Sequence, residues 1–440
     1  MRAGRWGLAT TVVATIGVVA GTLASPAVSS ASSSPPLPPK QAFYHYTGST
    51  PLSKIAPGTV LKKRKVNVSV GSSSTPVPAE QLLYRTRTEN GKPAVTVTTV
   101  IEPSGTPNAG DLVGYLSFYD ALGPECDPSY TLMGGNAGTK ANQQQAEEEQ
   151  SIIGLYLGQG YPVTIPDFEG EHLDWASGQE AGWTTLDAVR ATESYLSMPT
   201  TTDVGLTGYS GGSIAAEWAS ELAPNYAPKL NLVGVAAGGI PVDFAHNLNY
   251  INGTSDGWSG VIPAVLVSLS RAFHVKNLNH FLSAKGRKIT HAVHDECIGS
   301  FAGNYPGLRI QSLLKTPYRN FLAQPVFARI VNHLIMGTAT GHPAGPLFLA
   351  VGQEKNKRGD GIMVTKDVEA LAHEYCQQGV PLQFTVYSNE DHSDAGVSFV
   401  EDANSFLSNA FLGVPFSSNC SSVGKGNSLK PLPIHHKHKK

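Results

Sequence analysis

The chain has 440 residues, 41% of them apolar and only 15% charged, with a formal net charge of −2. An ordinary soluble domain carries about 25% charged residues, so Ser, Thr, Asn and Gln carry more of this surface, and the near-neutral balance argues against a nucleic-acid partner, which needs a clustered basic face. The 46 glycines and 30 prolines imply many turns without reaching a disordered or collagen-like composition. The length suits one large α/β domain with an insertion, or two to three average domains.

Residues 1–31 read as a signal peptide. Arg2 and Arg5 precede an uncharged run from Trp6 to Ala24, and small residues (Ser25, Ala27, Ser29, Ser30, Ala31) follow it. That is the order of a secretory signal, cleaved between Ala27 and Ala31. The run approaches spanning length, but Thr10, Thr11, Thr15, Gly17 and Gly21 make it too weakly apolar for stable membrane insertion. The expectation is a secreted, extracellular protein. Cleavage removes two arginines and no acid, leaving 30 basic against 34 acidic residues.

Residues 32–40 (SSSPPLPPK) form an extended linker, and 32–92 read as this linker plus an N-terminal segment. From about residue 93 strands and helices alternate. Strand-like runs fall at 93–102, 112–118, 162–165, 204–207, 231–236, 346–351 and 382–387, and helix-like runs at 141–157, 180–198, 211–223, 365–378 and 395–409. Short apolar strands separated by amphipathic helices imply a mostly parallel sheet with helices on both faces. The alternation stops across 243–340, which is rich in helical segments without a convincing strand and reads as an inserted cap. The α/β core is then 93–242 and 341–415, with a C-terminal tail 416–440 whose HHKHKK end is a solvated terminus. No metal site has convincing spacing, and no phosphate-cradling loop or cofactor motif is present.

The chemistry centres on Gly208-Tyr209-Ser210-Gly211-Gly212, which follows an apolar run and opens the helix-like SIAAEWASELA. This is G-x-S-x-G in the strand–turn–helix setting of a nucleophile elbow, which points to the α/β-hydrolase fold with Ser210 as nucleophile. The hydroxyl needs a base, and the base an orienting acid, in the order Ser, Asp or Glu, His. Among downstream histidines His392 stands out, in the polar loop SNEDHSD after the strand LQFTVY. For the acid the candidates after PLFLAV are Asp360, in the turn Gly359–Val364, Glu354, nearer the strand end, and Asp367, expected to cap the next helix. Asp360 is favoured, and Asp391 adjoins His392 too closely to pair with it easily. The oxyanion donors expected are the N–H of Gly211 and one from the loop Ser117–Ala121 after LVGYL. Four cysteines in an exported chain suggest two disulfides among Cys126, Cys297, Cys376 and Cys420, with three pairings open.

Several further segments carry a resemblance: FYDALGPECDPSY, PDFEG (166–170), AGWTTLDAVRA (181–191), GYSGG, AAGGIPVDF (236–244) and the series GDGIMV, YCQQG, NEDH. Together they span about residues 115–395 and resemble the secretory lipases of the LIP type, related to Candida antarctica lipase A. The resemblance implies hydrolysis of triacylglycerol or other fatty-acyl esters; the alternative is a non-lipolytic carboxylesterase or an acyltransferase with the same triad, and no cofactor is expected. Its partner is a lipid or other ester substrate, met in solution or at a lipid–water interface. It also implies that Asp120 supplies the second oxyanion donor and that the disulfides are Cys126–Cys297 and Cys376–Cys420. The family's acid lies in a shorter segment than VGQEKNKRGDGIMV, so Asp360 and Glu354 both remain open at this level. The apolar stretch 261–273 is the part of the cap best suited to face an acyl chain.

Overall fold

Nine strands form a single sheet: β1 (Val60–Val68), β2 (Val77–Arg87), β3 (Pro93–Ile101), β4 (Asp111–Leu116), β5 (Val163–Pro166), β6 (Asp203–Tyr209), β7 (Asn231–Gly238), β8 (Leu347–Gln353) and β9 (Leu382–Ser388). The structure, a computed structural model, describes residues 34–71, 76–105, 110–339, 341–343 and 345–434. The signal peptide expected at 1–31 and the terminal HHKHKK lie outside these residues. The strand order is β1-β2-β3-β5-β4-β6-β7-β8-β9. Pairing is antiparallel from β1 to β5 and parallel from β5 through β4 to β9. This is an α/β-hydrolase sheet.

The period-2 alternation of a strand sorts its side chains between two layers. Leu112 and Leu116 of β4, Val235 and Ala237 of β7, and Leu347, Leu349 and Val351 of β8 face a core shared with the helices Gly178–Leu196, Gly211–Tyr226 and Thr365–Gln377. Val113 and Tyr115, Ala236, and Phe348 and Ala350 face the helices Lys140–Gly158 and His392–Phe411 on the other side. The last helix shows why it forms where it does. The Asp391 side chain accepts from the N–H groups of Ser393 and Asp394 at its N-terminus. Ala395, Phe399, Ala403 and Phe406 then repeat at helical spacing against β6, β7 and β8.

Two strands were not anticipated. β1 and β2 fall within 32–92, where no element is expected from the pattern. In β1 the residues Lys62 and Arg64 alternate with exposed Lys63 and Lys65, so the face toward the protein reads as polar. Lys62 is satisfied by the carbonyls of Ala42 and His45, and Arg64 by Gln81 and Gln41. A basic outermost strand also discourages edge-to-edge pairing with another chain.

Between β7 and β8 the described residues form helices and no strand, the longest being Phe244–Ile251, Val261–Ala272, Ala284–Ala292 and Pro325–His333. Val261–Ala272 is apolar and buried on nearly all sides. The region is fastened to the core by the disulfide Cys126–Cys297 and by the pair His333–Glu89 at 3.0 Å. Two further bonds run from Asn90 to the carbonyl of Ala272 and from Ser268 to that of Trp175. Much of the expected tail packs as well. Asn427 bonds the Lys366 carbonyl and the Asp367 carboxylate, and Leu432 exchanges two hydrogen bonds with Asn332 on the helix Pro325–His333. No described helix is long and apolar enough to cross a membrane.

Candidate active site

The parallel strands place their carboxyl ends together, where open α/β sheets bind ligands. β4 and β6 are neighbours, so the loop holding Asp120 lies against the turn holding Ser210, while β8 and β9 deliver Asp360 and His392 from the other direction.

Ser210 sits between β6 and the helix Gly211–Tyr226 with φ 52° and ψ −120°. A side chain at positive φ is strained, and here the turn is fixed by the Ser210 N–H donating to the Gly238 carbonyl at 2.9 Å. The close approach of β4 leaves no room for a Cβ at Gly212, which would run into the Leu116 carbonyl. Ser210 Oγ lies 2.8 Å from His392 Nε2, and His392 Nδ1 lies 2.8 Å from Asp360 Oδ2. Asp360 is fully buried, and its Oδ1 accepts from the N–H groups of Ile362 and Met363 at 3.0 and 2.7 Å. The His392 backbone is tied to the Asp360 carbonyl at 2.8 Å and to the Tyr209 hydroxyl at 2.6 Å. Its imidazole packs beside the ring of Tyr209 and under the edge of Trp258, at 5.0 and 5.4 Å between centroids. A chain running from hydroxyl to imidazole to buried carboxylate can accept a proton from the serine and spread the resulting positive charge.

The other acids lie elsewhere. Glu354 pairs with Lys357 at 2.6 Å, as a solvated surface charge. Asp367 does not cap its helix, which begins after Val364 without a side-chain cap bond. It is buried and instead receives His246 Nδ1 at 3.1 Å and Asn427 Nδ2 at 2.7 Å. Position rather than composition decides this: the third residue of the helix faces the inserted region, not its own N-terminus. Asp391 caps the last helix and points away from His392.

Asp120 has φ 41°, and its carboxyl group packs directly on the Cα of Gly211. The N–H groups of Asp120 and Gly211 donate to no described residue, which leaves two donors beside Ser210, one on the loop after β4 and one at the start of the helix Gly211–Tyr226. Burial pushes the Asp120 carboxyl up to about 8, against the opposing effect of its hydrogen bond from Trp175 Nε1 at 2.7 Å. Burial thus favours its uncharged form. The Asp120 carbonyl accepts from Ile298 N–H, and Leu122 N–H donates to Glu296, so the loop is stitched to the inserted region beside the Cys126–Cys297 disulfide. The second disulfide is Cys376–Cys420.

Side chains that the sequence pattern does not single out complete the surroundings. Trp258 lies in the inserted region, Trp175 and Glu169 beside the Asp120 loop, and Glu149 beneath it. Among the described residues no cluster of three or more His, Cys, Asp or Glu is arranged to hold a metal ion.

Residues 136–419 match the family model described as secretory lipase. The chain belongs to the secretory lipase family. It is 30% identical over 378 residues to a secreted triacylglycerol lipase of Malassezia furfur, covering 83% of this chain and 74% of that one. It is also 30% identical over 335 residues to a probable inactive lipase of Mycobacterium tuberculosis, covering 74% and 72%. Among solved structures, Candida antarctica lipase A in its closed state superposes with a TM-score of 0.80 at 27% identity, covering 91% of this chain and 93% of that one. An esterase of Xanthomonas oryzae shares the fold alone, at 15% identity and a TM-score of 0.60. As a secretory lipase of α/β-hydrolase fold, the protein is an ester hydrolase.

Proposed function

We propose that this secretory lipase is exported by cleavage of residues 1–31 and hydrolyses lipid carboxylic esters, triacylglycerol among them. The observation that carries this reading is the unbroken hydrogen-bonded chain Ser210–His392–Asp360. It also argues against an inactive protein, since nucleophile, base and orienting acid are all present and in reach.

His392 Nε2 takes the hydroxyl proton as Ser210 Oγ attacks the ester carbonyl carbon. The carbonyl π electrons move onto oxygen, where the N–H groups of Gly211 and Asp120 stabilise the tetrahedral oxyanion. Asp360 fixes the imidazole tautomer and stabilises the imidazolium. Collapse breaks the carbon–alkoxy bond, the alcohol leaves with the proton from His392, and an acyl-Ser210 intermediate remains. Water, deprotonated by His392, attacks it and releases the fatty acid with Ser210 regenerated. The helical insertion 243–340 serves as a cap over this site, with Trp258 against His392.

The test is labelling by a serine-directed fluorophosphonate together with hydrolysis of p-nitrophenyl esters, tributyrin, triolein and an aminoacyl amide. Ser210→Ala should abolish labelling and lower kcat about 10⁶-fold. Hydrolysis retained in Ser210→Ala refutes the nucleophile. Activity confined to short soluble esters makes the protein a non-lipolytic carboxylesterase.

A further inference from the structure

The polar run AEEEQ within the helix Lys140–Gly158 contains one acid that is not on the surface. Glu149 is buried, and its carboxyl group is directed at the end of β4 and the loop after it. Oε1 accepts the Phe118 N–H at 2.8 Å and the Tyr115 hydroxyl at 3.2 Å, and Oε2 accepts the Ser117 hydroxyl at 2.8 Å. Gln145, one turn earlier, donates its Nε2 to the Phe118 carbonyl at 2.5 Å. Side chains four apart share a helix face, so a single helix grips both backbone polar groups of Phe118. Asp120, with its left-handed backbone, lies two residues further on. On its far side Glu169 accepts the Ala121 N–H, and the Asp120 carboxyl accepts from Trp175 Nε1.

A solvated turn would leave the Phe118 amide to water at no cost, whereas burying a carboxyl group is expensive unless its oxygens are bonded. Burial pushes the Glu149 acid up to about 7. The contacts survive in either protonation state. As a neutral acid, Oε2–H donates to Ser117 Oγ while Oε1 still accepts from Phe118. Glutamine reproduces that neutral arrangement, with Nε2 toward Ser117, and alanine reproduces none of it.

We propose that Glu149, assisted by Gln145, is a positioning residue for acyl transfer: it fixes Phe118 so that the Asp120 N–H is held where the tetrahedral oxygen forms. Neither side chain touches substrate. The inference rests on the oxyanion role given above to Asp120 and Gly211.

The experiment uses the full chain and compares wild type with Glu149→Ala, Glu149→Gln, Gln145→Ala and Ser117→Ala, the last of which leaves the helix untouched. Steady-state hydrolysis of a p-nitrophenyl ester is measured beside inhibition by a trifluoromethyl ketone, whose hemiketal oxygen sits where the oxyanion does. A displacement of about 1 Å costs on the order of 10²-fold, so Glu149→Ala should lose about that in kcat with KM nearly unchanged. The inhibitor's Ki should rise in parallel, and Glu149→Gln should recover most of the loss. Ser117→Ala and Gln145→Ala should each lose about tenfold, a fraction of the same effect. Wild-type kcat in Glu149→Ala, equal impairment of the Ala and Gln variants, or a loss confined to KM overturns the proposal. Should Glu149→Ala fail to fold, wild-type kcat and Ki in both Ser117→Ala and Gln145→Ala overturn it instead. Hydrolysis that persists in Ser210→Ala refutes the site reading as a whole. An inactive Ser210→Ala beside wild-type behaviour at 117, 145 and 149 refutes only the role of Glu149.

Discussion

Gly211→Ala isolates the contact on which the oxyanion arrangement depends. Gly211 is the first residue of its helix and has no positive φ, so alanine meets no backbone penalty there. The obstacle is lateral. A Cβ at 211 would lie 2.6 Å from Asp120 Cγ and 3.0 Å from Oδ2, and closer still to Oδ1. Carbon atoms rest at about 3.5–4.0 Å, so the Asp120 carboxyl must retreat by roughly 1 Å or more. It cannot do so freely, because Trp175 Nε1 holds it at 2.7 Å and the backbone already sits at φ 41°. A shift of that size in a reacting geometry costs about 10²-fold, and complete loss of one oxyanion donor costs about 10²–10³-fold. The expected outcome is therefore a kcat lowered 10²–10³-fold with KM little changed, and a stability loss of about 1–3 kcal/mol from overpacking. Ester hydrolysis and thermal melts measure both. A Gly211→Ala protein that melts like wild type and keeps kcat within about threefold would refute the placement of Asp120 against the elbow, since that margin is far below the cost of a lost donor.

Asp360→Asn keeps the shape of the acid but favours the wrong imidazole tautomer, and should lower kcat about 10⁴-fold while fluorophosphonate labelling slows in step. In pH–rate profiles, kcat should fall as pH rises through about 8, where the Asp120 carboxyl ionises beside the oxyanion; Asp120→Asn, already neutral, should lose that limb. Removing Cys126–Cys297, which closes 171 residues, should cost about 5 kcal/mol on a loop-entropy basis, against about 4 for the 44 residues of Cys376–Cys420. Thermal melts of the two double-serine variants should preserve that order. Stability should decline from pH 5.5 to 8.5. His246 and His333 are raised by Asp367 and Glu89, so their contribution is complete below about 6.5 and is lost as pH rises through the higher folded values. Burial raises Glu149, Asp167 and Glu193 to about 7, so the folded state binds more protons than the unfolded one across that range, which has the same sign. A melting temperature that climbs over this interval would contradict both.

The fold was legible wherever one residue's neighbours in sequence are also its neighbours in chemistry. β3 to β8 are short runs buried on both faces, β9 is a half-buried edge strand, and the helices between them show their apolar stripes, so each was readable alone. The elbow is local too, because strand, strained serine and helix are consecutive. Asp360 and His392 follow from position after β8 and β9. β1 and β2 escaped because one of their faces carries Lys62, Arg64, Gln81 and Arg85, polar groups that bond to partners elsewhere in the chain. Hydropathy counts those residues as exposed, and the structure buries them in whole or in part.

The surroundings of Asp120 were illegible for the same reason, taken further. Glu149 reaches Phe118 across 31 residues, and Trp175 reaches Asp120 across 55. On a helix that reads AEEEQ, nothing distinguishes the acid facing the loop from Glu147 and Glu148, which face water. The rotation of that helix selects Glu149, and on the same helix Ile153 and Tyr156 pack into the core that Val113, Tyr115, Val163 and Ile165 of the sheet share. The proposed nucleophile and base can thus be placed from a motif and a strand end. The proposed oxyanion geometry would depend instead on how a helix is rolled onto a sheet. Substituting Ile153 or Tyr156 should accordingly disturb catalysis through Glu149, at a site neither residue touches.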